Sequence, residues 1–296
     1  MTVCLSEDDG ASWKYKKCID TREELSYPDA DYYDGKIYLT YDRGRNTHKE
    51  ILFASFTERD IIENNDITVK IISKPPVSPK KEEVTRKIEE KKIIAILRSI
   101  PEEKLIPVAQ ALYDGGIRLL EIPYSADGSV PDEETALHIK KLAEHFEGKI
   151  YIGAGTVLNE EQVRLTKAAG GVLIVSPNTD RKVIFETHLC GMVSIPGAFT
   201  PSEICDAYSM GADFVKLFPA ASVSPEYVKA VKAPLSHIKL LAVGGVVENK
   251  MTDYLKVGVC GFGLGSNLVD KKMIDELDLE GITQLAKRYV RLIDNG

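Results

Sequence analysis

"GADFVKLFPA" (residues 211–220) is an apolar run with a lysine in its middle, closed by Pro219. A short β-branched and aromatic segment bounded by glycine and proline predicts a strand buried on both faces. Lys216 breaks that pattern, so the neighbouring strands must say what the lysine is for. Seven more short apolar runs accompany it: "IIAIL" (93–97), "RLLEIP" (118–123), "IYIGA" (150–154), "GVLIVS" (171–176), "MVSIP" (192–196), "IKLLA" (238–242) and "GFGLG" (261–265). Segments of helical period lie between them, such as "PEEKLIPVAQALYDGG", "NEEQVRLTKAAG" and "TPSEICDAYSMG", ending near glycine as helix C-termini do. Strands this apolar belong in a parallel sheet covered by helices. Eight βα units predict an α/β fold, a (β/α)8 TIM barrel; an open doubly wound sheet is the alternative.

The chain changes character once. Residues 1–66 are rich in Tyr, Asp and turn residues, with strand-like runs "KIYLTYD" (36–42) and "EILFASF" (50–56), and predict a small antiparallel β appendage. Residues 67–87, with their Pro/Lys/Glu stretch turning helical at its end, read as a linker, and 88–296 as the barrel domain.

The 296 residues are 44% hydrophobic and 28% charged, an ordinary globular balance. Net charge is −7, with no Lys/Arg run interleaved with aromatics, which argues against nucleic acid or an anionic membrane as partner. The five cysteines are scattered, without CxxC spacing, so neither a zinc site nor a disulfide framework is expected, and a cytoplasmic setting fits best. No signal peptide or membrane span is legible.

In a barrel, chemistry gathers at the carboxyl ends of the strands. Those positions hold Arg98, Glu121, Thr156, Pro177, Lys216, Phe218, Gly244, Gly245, Gly265 and Ser266. Lys216 is either a stem-buried lysine reaching for solvent or an amine whose pKa is lowered by burial, able to attack a carbonyl and form a Schiff base. Glu121 is the carboxyl group such chemistry needs to move protons, or an ion-pair partner of the lysine; the two roles are compatible. Glycine pairs after the seventh and eighth strands offer backbone N–H groups at helix N-termini, where barrels often bind phosphate.

Residues 88–292 resemble the class I aldolases of the 2-keto-3-deoxy-6-phosphogluconate (KDPG) and 2-keto-4-hydroxyglutarate family. The matching stretches run in order: "GGIRLLEI", "GAGTVL", "VSPNTD", "IPGAFTPSE", "FVKLFPA", "VGGV" and "GLGS". The resemblance implies a lyase in which Lys216 forms the Schiff base with the pyruvate portion of the substrate and Glu121 is the general acid/base. Thr156 would hydrogen-bond the carboxylate, Phe218 and Pro177 would wall the site, and Gly244, Gly245, Gly265 and Ser266 would receive the phosphate. No metal or other cofactor is implied, since the protonated imine serves as electron sink. Cleavage of KDPG would give pyruvate and glyceraldehyde 3-phosphate, and the family's habit is a homotrimer.

Two departures stand out. Family members often carry an arginine four residues after the glutamate to bind the substrate carboxylate; here that residue is Ser125, which nominates Arg98 as substitute. "SPN" stands where a glycine often follows "SP", and the insert "SADGSVPDEET" lengthens the loop after the second strand. A sugar-phosphate isomerase or epimerase would share the glycines without needing Lys216. A carbohydrate-binding protein with an impaired barrel would need neither.

The N-terminal part resembles the last blade of a sialidase-type β-propeller. "SEDDGASW" (6–13) fits the Asp-box pattern with Ser12 for threonine, and the Asp box is a structural hairpin turn. About 65 residues cannot build a propeller, whose blades must cover one another's faces.

Overall fold

The structure, a computed structural model, describes residues 1–43, 50–72 and 79–294. It forms two compact units, residues 1–77 and 78–296.

In the first unit β1 (Thr2–Leu5) and β2 (Tyr15–Cys18) make an antiparallel hairpin. A second sheet runs in antiparallel order through β3 (Leu25–Tyr33), β4 (Lys36–Arg43), β5 (Glu50–Phe56) and β6 (Val69–Ile72), with helix α1 (Glu58–Ile62) between the last two. Leu39, Tyr41, Leu52, Ala54 and Phe56 form its core with Ile61 of α1. The predicted Asp box is the β1–β2 turn. Asp8 Oδ1 accepts from Ser12 N at 2.7 Å, Ser6 Oγ accepts from Gly10 N at 2.7 Å, and Gly10 has the left-handed φ of 88° that a Cβ would resist. The Ser6, Asp8 and Ser12 side chains are all bonded within the turn.

The second unit alternates helix and strand: α2 (Pro79–Lys91), β7 (Ile93–Ile96), α3 (Glu102–Asp114), β8 (Leu119–Pro123), α4 (Asp132–His145), β9 (Tyr151–Gly155), α5 (Glu160–Ala168), β10 (Leu173–Val175), α6 (Arg181–Leu189), β11 (Val193–Ile195), β12 (Gly197–Ala198), α7 (Pro201–Ser209), β13 (Val215–Leu217), α8 (Pro225–Lys232), β14 (Leu240–Val243), α9 (Glu248–Lys256), β15 (Val259–Leu264), α10 (Lys271–Glu276) and α11 (Leu279–Asp294). Its nine strands form one parallel sheet in the order β11-β10-β9-β8-β7-β15-β14-β13-β12. The two edge strands are separated in the chain by Pro196 alone, so the sheet curls until its edges almost meet. All eight predicted runs are strands; the fifth is split because proline has no N–H to give to a ladder.

Side-chain parity divides the sheet into an outer and an inner face. Ala95, Leu120, Ile122, Val215, Leu217, Leu240 and Ala242 pack outward with the helices, while Ile94, Ile96, Leu119, Val175, Ile195, Phe214, Leu241 and Val243 cluster inside. The period of two therefore aims Glu121 and Lys216 inward.

Within the expected linker 67–87, Val69–Ile72 is a strand and α2 runs from Pro79, while 73–78 lie outside the described residues. Val69–Ile72 pairs with β5, with Val69 packed on the first unit's core, so that unit extends to residue 77. The helix α2 begins at Pro79, nine residues before the expected barrel boundary at 88. Its Val84 and Ile88, one turn apart on one face, are buried in the inner cluster. Polar contacts fix α2 at the amino ends of the strands: Lys81 pairs with Asp213 at 2.8 Å, Lys239 with Glu89 at 2.5 Å, and Tyr151 Oη donates to Glu83. Among the described residues no helix is long and apolar enough to cross a membrane.

Candidate active site

Lys216 and Glu121 are 6% and 3% exposed, on the inner face near the carboxyl ends of β13 and β8. Burial pushes the Glu121 carboxyl above its ordinary range, opposed by the positive charges of Lys216 and Arg98. Burial likewise pushes the Lys216 ammonium below its ordinary value; Glu121 opposes this and Arg98 adds to it. Both groups are thus drawn toward their neutral forms, an amine and an acid. Each acts on the other through space, yet no ion pair within 4.0 Å joins them among the described residues.

Neighbouring strands make room for them. Gly155 of β9 stands where any Cβ would overlap the Glu121 carboxyl, and Gly153, paired with Glu121, leaves its space to Leu173. Phe218 follows Lys216 by two residues, 37% exposed, with its ring centroid 4.8 Å from Nζ. The other edge of that ring rests on Gly244, where a Cβ would come to 3.0 Å.

Arg98 is exposed just beyond β7, close enough to act electrostatically on both buried groups. Thr156, at the end of β9, holds a left-handed φ of 53°, and Ser99 beside Arg98 one of 54°. Non-glycine residues in that region are strained and occur at functional sites; the sequence reading singled out Thr156 from its place after a strand and did not single out Ser99. Pro177 follows β10, and its carbonyl fills the space that a side chain at Gly197 would need. Thr156, Pro177, Gly265 and Ser266 make no hydrogen bond to the lysine or the glutamate among the described residues.

The two glycine loops differ. Gly244 and Gly245, with φ of 93° and 71°, lead into α9, whose N-cap Val247 provides no side-chain bond to the first turn. By contrast, Asn159, Asp180, Thr200 and Ser224 cap α5, α6, α7 and α8. The helix N-terminus expected directly after the eighth strand is absent. Gly265 O accepts from Leu268 N and Val269 N in a single turn, and α10 begins later behind its own cap, Asp270. Asn267, which the sequence reading did not single out, donates from Nδ2 to Val246 O at 2.7 Å.

Ser125 does not point to an anion site. Its Oγ bonds Asp127 and Ser129 Oγ and accepts from Ser129 N, closing the inserted loop on itself, and these bonds hold the Asp127 carboxyl down at about 2.

A family model described as KDPG and KHG aldolase matches residues 84–285, from inside α2 to inside α11. The chain belongs to this family. A probable 2-dehydro-3-deoxy-6-phosphogalactonate aldolase of Rhizobium meliloti is 39% identical over 180 residues, which cover 60% of this chain and 82% of that protein. The 2-dehydro-3-deoxy-phosphogluconate aldolase of Haemophilus influenzae is 28% identical over 216 residues, covering 72% and 97%. Among solved structures, the KDPG aldolase of Legionella pneumophila with pyruvate captured at low pH as a covalent carbinolamine intermediate matches with a TM-score of 0.62 at 27% identity, covering 69% of this chain and 96% of that one. The chain is a class I aldolase of the family, a carbon–carbon lyase.

Proposed function

We propose that this aldolase cleaves a 2-keto-3-deoxy-6-phospho sugar acid to pyruvate and glyceraldehyde 3-phosphate through a Schiff base on Lys216, with the galactonate epimer preferred to KDPG. The observation that carries the reading is the buried amine and carboxyl group facing one another from β13 and β8 without a direct ion pair. The galactonate preference rests on the 39% identity to the phosphogalactonate enzyme against 28% to the phosphogluconate one. The two acids differ in configuration at C4, the carbon that becomes the aldehyde, so either gives the same products.

The neutral Lys216 amine attacks C2 of the substrate and the carbonyl oxygen becomes the hydroxyl of a carbinolamine. Glu121, as the acid that burial favours, gives its proton to that hydroxyl, which leaves as water and forms the protonated imine. The carboxylate then takes the C4 hydroxyl proton as the C3–C4 bond breaks; the bonding pair flows into the imine and leaves an enamine. Glu121 returns the proton to C3, and water hydrolyses the imine to pyruvate and free amine. The protonated imine accepts the electron pair of the breaking C3–C4 bond, so the reaction calls for no metal or organic cofactor.

Phe218 offers its ring face to the cationic imine. Arg98 and Thr156 hold the carboxylate, and Pro177 walls the cavity. The backbone donors around Gly244, Gly245, Gly265 and Ser266, with the uncapped start of α9, receive the phosphate. Counting Val193–Ala198 as one strand broken at Pro196, the fold is a (β/α)8 barrel. We further propose a homotrimer acting in the cytoplasm on small molecules alone, with exposed Phe185 and Leu189 of α6 as apolar surface for a neighbouring copy. The N-terminal unit is a propeller-blade piece whose Asp box is structural.

Borohydride treatment with pyruvate tests the reading. A stable adduct should form on Lys216 and vanish in Lys216→Ala, and pyruvate release should be faster from the galactonate epimer than from KDPG. No adduct with the unaltered chain would sink the Schiff base, and equal or reversed rates would sink the epimer preference.

A further inference from the structure

We infer that Asn267 is a positioning residue that fixes the phosphate end of the site, and this rests on the glycine loops holding the phosphate. The β14–β15 ladder ends at the pair Val243 and Gly263. Beyond it, among the described residues, the bond from Asn267 Nδ2 to Val246 O, 2.7 Å, is the only hydrogen bond that crosses between the two loops. A carbonyl can only accept, so the amide nitrogen must be the atom facing it.

Val246 is 3% exposed and directly follows Gly244 and Gly245; Asn267 directly follows Gly265 and Ser266. One side chain therefore sets the separation of the two sets of backbone donors. The first loop is anchored on its other side as well. Ala221 N donates to Gly244 O at 2.9 Å, and the buried Tyr254 hydroxyl reaches Ala220 O and Val223 O at 2.9 and 2.7 Å. The loops after β13, β14 and β15 thus form one chain of contacts from Lys216 to Ser266, and Asn267 is its last link.

A dianion bound by donors from two loops is bound well only if they are already spaced for it; otherwise binding must order them. Loss of the link should weaken the hold on the phosphate and leave the chemistry at Lys216 untouched.

The test compares Asn267→Ala and Asn267→Asp with the unaltered chain on the phosphorylated sugar acid, on its unphosphorylated counterpart, and with inorganic phosphate as competitive inhibitor. Asp matches Asn in size but its carboxylate cannot donate, so it serves if the alanine variant fails to fold. The expected result is a rise in KM of about ten-fold for the phosphorylated substrate, with phosphate inhibition weakened by a similar factor. KM for the unphosphorylated substrate, kcat and the borohydride adduct should not move. Equal loss on both substrates, or no change on either, overturns the inference while leaving the glycine loops as phosphate site. If the unaltered chain makes no distinction between the two substrates and ignores inorganic phosphate, that site and the inference fall together.

Discussion

Gly155 lies against the carboxyl group of Glu121 so closely that a Cβ on Gly155 would overlap Oε1. The smallest possible side chain must therefore push the carboxyl group from its place. Gly155→Ala should lower kcat by about 10²–10⁴-fold, the range for loss of a positioned acid/base. Lys216 should still form the borohydride adduct with pyruvate, but more slowly, because Glu121 also protonates the departing hydroxyl. Near-normal turnover in the alanine variant would show that Glu121 is not the proton carrier.

The buried pair should cost the fold stability. Lys216 lies below its ordinary 10.5, so between its folded value and 10.5 the unfolded chain holds a proton that the folded one lacks. Stability from this group falls as pH falls through that window. Glu121 lies above its ordinary 4.5, so the unfolded chain loses its proton first and stability falls as pH rises from 4.5 to the folded value. Replacing both with apolar side chains of similar volume, Glu121→Met with Lys216→Met, should raise stability to urea unfolding by about 1–4 kcal/mol at neutral pH, as apolar replacements of buried pairs do. A double variant less stable than the unaltered chain would count against this.

Arg98 lowers both groups, and its loss moves both in one direction. In Arg98→Ala the two limbs of the pH profile of kcat/KM should shift to higher pH together, a macroscopic property of the coupled pair. Loss of its charge-assisted contact to the carboxylate should also raise KM for the keto acid by about 10–100-fold. A raised KM with unmoved limbs would leave Arg98 a carboxylate ligand only.

Asp127 is held ionised by Ser125 and Ser129, so the loop after β8 presents negative charge where family members often place an arginine. Asp127→Asn should lower KM for the anionic substrate by about two-fold, the scale of one exposed charge, and raised salt should erase the difference. A KM that rises instead would give Asp127 a direct role in binding.

The eight strands and the inward lysine and glutamate were legible because parity and apolar runs are local properties of the chain. What escaped the reading depends on distant partners. Nothing in "EEVTRKIEE" says that Val84 and Ile88 enter the interior of the sheet, since two apolar residues one turn apart fit a surface helix equally well. "ITVKII" resembles a linker until β5 offers it an edge. The split at Pro196 was visible as a proline, but not that it would become the place where the sheet's two edges approach. Asn267 carried no signal at all, because one amide in a loop acquires meaning only from the carbonyl it meets.

With Val84 and Ile88 seated in the inner cluster, α2 covers the interior at the amino ends of the strands. On the proposed Schiff base, the pyruvate carbons tethered to Lys216 would lie deeper than the phosphate tail. On that reading the aldehyde fragment would stand between the tethered carbons and the exit, and would depart before pyruvate could. Run in reverse, the same geometry makes pyruvate the first guest and the aldehyde the second, so an order of events follows from a helix that touches neither.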